Sequence, residues 1–191
     1  MTAITTASAD LARRAWHNRV LRVGGIIQAC FAAFWLVRGS LAVGGVIGSV
    51  MAATLGVIAL AALAYGVRVT SGLAPRPTSA DGKRIERAVT IATVVELVAS
   101  FAFPAIVIAA GHADLTLPSI AITIGPLLLW LDHRLDIPLY RPVGWALTIG
   151  PVLLAIVLSG DTLAATTGLS AGVLMIATAT FGFHQLADEH R

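Results

Sequence analysis

One acidic residue, Glu96, lies well inside a long apolar stretch of the chain. A charged side chain at the centre of a membrane costs about 2.5–3.5 kcal/mol on insertion scales, so such residues often mark proton or substrate pathways. Thr93 and Ser100 lie three residues before and four residues after Glu96, on the same helical face. The sequence therefore predicts a neutral, hydrogen-bonded carboxyl that either carries a proton during transport or fixes helix positions.

Three further polar residues are candidate partners of Glu96. Gln28 lies at a similar depth in the first apolar stretch, and Thr123 and Thr148 lie within about one helical turn of that depth in the fourth and fifth. We expect the Glu96 side chain to point into the protein, towards Gln28 or towards the threonines. The candidate intramembrane site consists of Glu96, Gln28, Thr93, Ser100, Thr123 and Thr148.

No catalytic or metal-binding motif accompanies these residues in the sequence. There is no HExxH pattern, no Walker loop and only one cysteine, Cys30. Asp132, His133, Arg134 and Asp136 form a charged cluster that we expect to be solvated at the membrane surface. We expect no cofactor, no metal and no nucleic-acid partner, because basic loops beside a lipid bilayer explain the net charge of +3.

The composition indicates an integral membrane protein. Of the 191 residues, 57% are hydrophobic and 12% are charged, whereas about a quarter are charged in soluble domains. A hydrocarbon core of about 30 Å needs roughly 17–25 helical residues per crossing, and six apolar stretches meet or approach this length. We predict an all-α, polytopic transmembrane six-helix bundle that forms a single domain. The predicted spans are residues 20–37, 41–67, 88–110, 115–131, 143–159 and 163–186, with a cytoplasmic loop at 68–87.

The distribution of Lys and Arg predicts the orientation. Cytoplasmic loops of membrane proteins carry an excess of these residues. Twelve of the 13 Lys and Arg residues lie on the side of the two termini, and only Arg38 lies on the other side. We therefore expect both termini in the cytoplasm and a multi-pass protein of the cell inner (plasma) membrane.

Small residues recur every four positions along two predicted spans. Such spacing allows helix backbones to approach closely. It predicts tight packing within the chain or, through span two, a homo-oligomer. Gly66, near the end of span two, is expected to tolerate Leu better than Gly48. The packing residues are Gly44, Gly48, Ala52 and Gly56 in span two, and Gly168 and Gly172 in span six.

Spans four and five share a short repeat. The sequence TIGPLLL at residues 123–129 recurs as TIGPVLL at residues 148–154, and each proline interrupts the helical hydrogen-bond pattern close to mid-membrane. Interrupted helices of this kind occur at transporter binding sites. They also occur as ordinary kinks in closely packed helices.

A segment around this repeat resembles a known group of proteins. Gly125, the apolar run to Leu131, the tetrapeptide at residues 137–140 and Gly144 are similar to a segment of uncharacterised small bacterial multispan membrane proteins. That segment typically starts with Gly-x-His-Phe, where this chain has PLL at residues 126–128. The resemblance covers about 20 residues, and it implies a six-helix bundle without implying an activity.

Three classes of function fit these observations. A structural or partner-binding membrane subunit needs only the glycine faces and the charged loops, and it is the first expectation. A small-solute or proton-linked transporter would use Glu96 and the Gly-Pro-interrupted hairpin. A membrane-embedded enzyme would act on a lipid-like substrate. A cavity distinguishes them: one that reaches Glu96 from water indicates transport, one open sideways to lipid indicates an enzyme, and none indicates a structural subunit.

Overall fold

The protein is all α-helical, with 88% of its residues in helices, in a computed structural model. The structure describes residues 2–76 and 78–191, with side chains described from residue 10 onwards. A π-helical segment, Val20–Gly24, joins the first two helices, and a short 3-10 helix, Ala113–Leu115, precedes the fifth. The α-helices are α1 (Thr2–Arg19), α2 (Gly25–Val43), α3 (Gly45–Val69), α4 (Ala80–Ala109), α5 (Thr116–Leu135), α6 (Tyr140–Val157) and α7 (Gly160–Asp188).

Among the described residues, six helices are long and apolar enough to cross a membrane, which confirms the predicted number of such helices. The first of them runs from Asp10 to Val43, because α1 continues through the π-helical segment into α2. The Ser79 side chain caps α4 by accepting a hydrogen bond of 3.0 Å from the Gly82 backbone N–H. As a result, α4 begins eight residues before the predicted span and extends beyond the expected hydrocarbon region.

Helices α2 and α7 form the centre of the bundle. They are antiparallel, because Gly39 meets Gly168 near one end of the pair and Gly25 meets Phe183 near the other. Helix α3 packs mainly against α2, and α5 and α6 form a second tight pair. Helix α4 packs against α5 and α1 at the edge of the bundle. Its outer face carries exposed apolar side chains such as Phe101, which is 73% exposed and suited to contact with lipid.

The small residues of span two pack within the chain. A Cβ atom added to Gly48 would lie 2.6 Å from the Ser40 carbonyl oxygen, and one added to Gly56 would lie 3.4 Å from Val37 Cγ2. Ala52, between them, is buried. Gly44 has a different role, because its φ of +80° forms the turn between α2 and α3. The face at 48–56 therefore lies against α2 in this chain.

Gly66 is more tightly packed than its position near the helix end suggested. A Cβ atom added there would overlap the Phe183 ring of α7, and both residues are buried. The expectation that Gly66→Leu is better tolerated than Gly48→Leu stays a prediction, because a Cβ atom added to either glycine would lie too close to neighbouring atoms. Gly168 and Gly172 pack closely, as predicted: an added Cβ would lie 2.6 Å from Gly39 Cα or from Leu36 Cγ, respectively.

The repeated heptapeptides do not occupy equivalent positions in the α5–α6 pair. A Cβ atom added to Gly125 would overlap the Thr148 hydroxyl and lie 2.5 Å from the Gly144 carbonyl oxygen. Gly150, the counterpart of Gly125 in the repeat, has no atom within 4 Å of an added Cβ. The close contact thus joins Gly125 to the first residue of the second repeat and to the helix turn before it.

The charged cluster at the end of α5 is only partly solvated. His133, Arg134 and Asp136 are exposed, as expected. Asp132 is only 5% exposed, and its Oδ2 accepts a hydrogen bond of 2.8 Å from Arg141 Nε. Its expected solvation is therefore wrong, because Asp132 faces the start of α6 and pairs with a basic residue there.

Candidate functional site

A cavity of about 170 Å³ lies between the continuous α1–α2 helix, α4 and α5. The packing of the bundle leaves this space, because α2 contacts mainly α7 and α3, while α4 contacts α5 and α1. Both Glu96 and Gln28 line the cavity. An apolar cavity of about 150 Å³ in another protein holds a benzene molecule, so this one has room for a chemical group of that size.

A hydrogen bond between α1 and α4 fixes the relative heights of the two polar residues. Trp16 Nε1 donates to the Gly82 carbonyl oxygen at 2.8 Å. Gln28 follows Trp16 by twelve residues and Glu96 follows Gly82 by fourteen, which correspond to rises of about 18 and 21 Å. The predicted similarity in depth therefore agrees with the placement of both side chains on one cavity.

Glu96 belongs to a line of hydrogen-bonding groups that joins α4 to α5. The Ser100 hydroxyl lies 2.9 Å from Glu96 Oε1 and 2.7 Å from the Thr123 hydroxyl. The Thr123 hydroxyl donates to the Ile120 carbonyl oxygen at 2.7 Å. We call these four residues the Glu96 line. It contains three close contacts between oxygen atoms, and each needs one proton to be a hydrogen bond.

The proton count of the Glu96 line depends on the carboxyl group. Ser100 and Thr123 each supply one hydroxyl proton. With Glu96 ionised, Ser100 donates to the carboxylate and Thr123 to the backbone, so the contact between the two hydroxyls has no proton. With Glu96 protonated, the carboxyl donates to Ser100, Ser100 to Thr123 and Thr123 to the backbone. The geometry therefore accommodates a neutral Glu96 with all three contacts satisfied.

Gln28 lies on the opposite wall of the cavity. It is 8% exposed, and its Oε1 has no hydrogen-bond partner within the described part of the chain. The buried Tyr140 phenol also lines the cavity. A Cβ atom added to Gly24 would lie 3.4 Å from the Tyr140 hydroxyl oxygen, so the glycine leaves room for the phenol.

The π-helical segment lies directly beside this wall. Its residues Val20, Val23 and Gly24 line the cavity, one turn before Gln28. Single π-helical turns inside α-helices are rare and are frequently found at functional sites. The segment is therefore a second, independent feature that distinguishes this part of the bundle from ordinary helix packing.

The structure brings most of the predicted site residues together. Thr93 lines the cavity beside Glu96, and its side chain is exposed. Thr148 lies apart from them, because its hydroxyl donates to the Gly144 carbonyl oxygen at 2.7 Å and packs against Gly125. Thr148 lies at a depth that is compatible with the site, but its side chain faces Gly125 on α5 and not the cavity.

Three lining residues that carry polar side-chain atoms were not predicted as part of the site. Tyr140 and Trp16 have the sequence positions of aromatic residues at a membrane interface. Arg19 has the position of an ordinary basic residue near the inner membrane surface. All three line the cavity, and the Arg19 guanidinium carbon lies 5.8 Å from the Trp16 ring centroid. A signal for Tyr140 is its location in the tetrapeptide between α5 and α6, although a single sequence does not show which helix it faces.

No protein-family model, no curated protein and no solved structure matches the chain. The class of the protein is therefore defined by its own features. It is an all-α protein with six helices long and apolar enough to span a membrane among its described residues. Its candidate site is a cavity between these helices that contains an acidic side chain.

Proposed function

We propose that the protein is a proton-linked carrier for a small organic cation in the bacterial inner (plasma) membrane, with both termini in the cytoplasm. The observation that carries this proposal is the position of Glu96. Among the described lining residues it is the one acid, on the wall of a mainly apolar cavity between helices long and apolar enough to span a membrane. The location of twelve of the 13 Lys and Arg residues on one side supports the orientation.

The chemistry of a carboxyl group in a medium of low polarity supports the exchange of a proton for a cation. A charged carboxylate without a partner is costly in such a place. Either a proton or a bound cation removes that cost, and the two compete for the same group. In the neutral state the Glu96 line holds the proton through Ser100. In the cation-bound state the carboxylate pairs with the ligand, and the displaced proton leaves to water.

Two other classes of function are less well supported by the cavity. A purely structural subunit needs no cavity beside a half-buried acid. An enzyme needs a reactive group near its acid, and the cavity lining includes Tyr140 and Thr93 but no described His, Cys or Lys. A homo-oligomer through span two remains compatible with a carrier, but the face at Gly48 and Gly56 would first have to separate from α2.

Uptake of a permanently charged probe tests the proposal. Purified protein is reconstituted into liposomes with an acidic interior, and uptake of radiolabelled benzyltrimethylammonium is followed. Its trimethylammonium head is small enough for the cavity, and its charge prevents passive crossing. We expect accumulation that a protonophore abolishes and that Glu96→Gln eliminates. The control variant Asp161→Asn, which removes an exposed acid outside the cavity, should retain uptake.

The outcome that overturns the proposal is equally specific. Liposomes with the wild-type protein would take up no more probe than empty liposomes, or Glu96→Gln would take up as much as the wild type. Circular dichroism and gel filtration of the reconstituted variant show whether it retains the helical fold, so that a lost activity is not confused with a lost structure.

A further inference from the structure

We infer that the transported cation is an amphiphile that enters the cavity sideways from the membrane, with its charged head at Glu96 and its apolar tail between α2 and α4. This inference rests on the proposed function and adds the substrate class and the path of entry. It depends on three features of the cavity: its opening, its size and its charges.

The opening of the cavity lies between exposed lining residues of α2 and of α4. On the α2 side, Val23, Ile27 and Phe31 succeed one another at four-residue intervals, line the cavity and are 38%, 48% and 37% exposed. On the α4 side, Thr93 lines the cavity and is also exposed. We call this opening the α2–α4 portal. Because its lining belongs to helices long and apolar enough to cross a membrane, the portal would open to hydrocarbon once the bundle is inserted. Such an opening was also expected of an enzyme, but the described lining holds no His, Cys or Lys to act with Glu96.

The size of the cavity limits what it can enclose. A volume of about 170 Å³ accommodates a trimethylammonium group or a single ring, but not a long alkyl chain as well. The tail of a longer ligand must therefore leave through the portal. Val23 and Ile27 offer such a tail an apolar edge that continues into the surrounding lipid.

The charged and titratable groups of the cavity favour a cationic head. Glu96 on α4, Arg19 at the end of α1 and Tyr140 on α6 are the groups of this kind among the described lining residues, and α5 and α7 contribute apolar side chains. Arg19 lies nine residues before Gln28, about 14 Å along the helix, and its guanidinium lies beside Trp16. A cation beside Glu96 is therefore close to the acid and far from the base.

Chain length provides the test of lateral entry. Binding of alkyltrimethylammonium ions with chains from methyl to dodecyl is measured by calorimetry in nanodiscs, with empty nanodiscs as the reference for partition into lipid. When the affinity is calculated from the ligand concentration in the bilayer, it should vary by less than about threefold between hexyl and dodecyl chains. A cavity closed to lipid would instead lose affinity steeply once the chain exceeds the enclosed volume, and that result overturns the inference.

A plug in the portal separates entry from binding. Ile27→Trp should weaken binding of the decyl compound about tenfold, while tetramethylammonium binding changes less than about twofold. Ile58→Trp is the matched control, because Ile58 on α3 is 52% exposed, close to the 48% of Ile27, but lies away from the cavity. Equal effects of the two variants on the decyl compound would contradict entry through the portal.

The head group is tested with an anionic amphiphile. Decyl sulfonate should compete with the decyl cation at least about tenfold more weakly than the cation itself. Equal or better competition would assign the cavity to a lipid-like anion held by Arg19. If tetramethylammonium and benzyltrimethylammonium bind, but affinity falls steeply from hexyl to dodecyl and Ile27→Trp acts no differently from Ile58→Trp, the carrier proposal stands and the amphiphile inference fails. If no cation binds, the carrier proposal fails as well.

Discussion

Gly39 on α2 and Gly168 on α7 bring the backbones of the two central helices into direct contact. A Cβ atom added to Gly168 would lie 2.6 Å from Gly39 Cα, and one added to Gly39 would lie 2.6 Å from the Leu169 backbone nitrogen. At the other end of the pair, an added Cβ on Gly25 would lie 2.7 Å from the Phe183 ring. In lipid, where the hydrophobic effect gives little drive for helix association, such close approach is a main source of packing energy.

The contact between Gly39 and the α7 backbone predicts that substitution by Ala destabilises the protein at Gly39 but not at Gly150. Gly39→Ala should destabilise the protein by about 1–3 kcal/mol, because the added methyl group meets backbone atoms that cannot move independently. Gly150→Ala, whose added Cβ has no neighbour within 4 Å, should be neutral or stabilise by up to about 1 kcal/mol through helix propensity. Unfolding by SDS titration in mixed micelles measures both. Similar losses in the two variants would contradict the contact.

A double-mutant cycle tests the contact between Gly66 and Phe183. Gly66→Ala should cost about 1–3 kcal/mol, since its methyl group meets a buried ring. Phe183→Leu reduces that obstruction, so the double variant should recover at least about 0.5 kcal/mol relative to additive behaviour. Gly56→Ala is the control, because its Cβ would make only an ordinary contact of 3.4 Å with Val37. Strict additivity would show that the ring and the glycine do not meet.

These two contacts show where sequence reasoning reached its limit. The number and positions of the apolar helices follow from local hydropathy, and the small residues at positions 48 and 168 follow from a spacing of four. Each of these glycines, however, packs against a residue on another helix. The spacing of small residues does not distinguish Gly39, and the sequence places Gly66 only near a helix end, because a single sequence does not state which helices are neighbours.

The same limit applies to the candidate site. The depths of Glu96, Gln28 and Thr123 could be counted along their helices. The structure places Glu96 and Gln28 on the cavity, and Thr123 contacts Ser100 in the Glu96 line. Thr148 had a suitable depth but faces Gly125 within the α5–α6 pair. The cavity itself could not be predicted, because it results from α4 packing on α5 and α1 while α2 packs on α7 and α3.

The ion pair between Asp132 and Arg141 is expected to stabilise the connection of α5 to α6. Arg141→Ala should destabilise the protein by about 1–3 kcal/mol, because it leaves a buried carboxylate without its charged partner. Asp132→Asn combined with Arg141→Ala should cost less than Arg141→Ala alone, since the amide is uncharged. Arg134→Ala, which changes an exposed residue of the same cluster, is the control. Thermal unfolding in detergent compares the variants, and an Arg141→Ala protein as stable as Arg134→Ala would contradict the role of the pair.

The proposed orientation is open to direct measurement. Single cysteines are introduced at Ser79, His112 and Asp161 in a Cys30→Ala background, because the native cysteine is exposed. A membrane-impermeant maleimide applied to intact cells should label the positions 112 and 161 but not 79, and all three should react after lysis. Labelling of position 79 in intact cells, or of only one of the other two, would contradict the proposed topology.

The Glu96 line predicts how the carboxyl responds to substitution. Glu96→Gln should change stability by less than about 0.5 kcal/mol, because the amide N–H₂ can donate to Ser100 as the neutral acid does. Glu96→Leu should lose one hydrogen bond, worth about 0.5–1.5 kcal/mol. Thr123→Val should weaken the packing of α4 against α5 more than Thr148→Val does. The reason is that Thr123 hydrogen-bonds with Ser100 across these helices, whereas the Thr148 hydroxyl donates within α6.

Infrared difference spectroscopy shows whether the Glu96 carboxyl carries a proton. Wild-type protein in nanodiscs at neutral pH should show the carbonyl stretch of a protonated carboxylic acid that disappears in Glu96→Gln. Ser100→Ala should shift this band to higher frequency, because the acid proton loses the oxygen that accepts it. Ser170→Ala, which removes a hydroxyl bonded within α7, should leave the band in place. A wild-type spectrum in which the Glu96-dependent signal is that of an ionised carboxylate would refute the neutral line, since the contact between Ser100 and Thr123 would then have no proton.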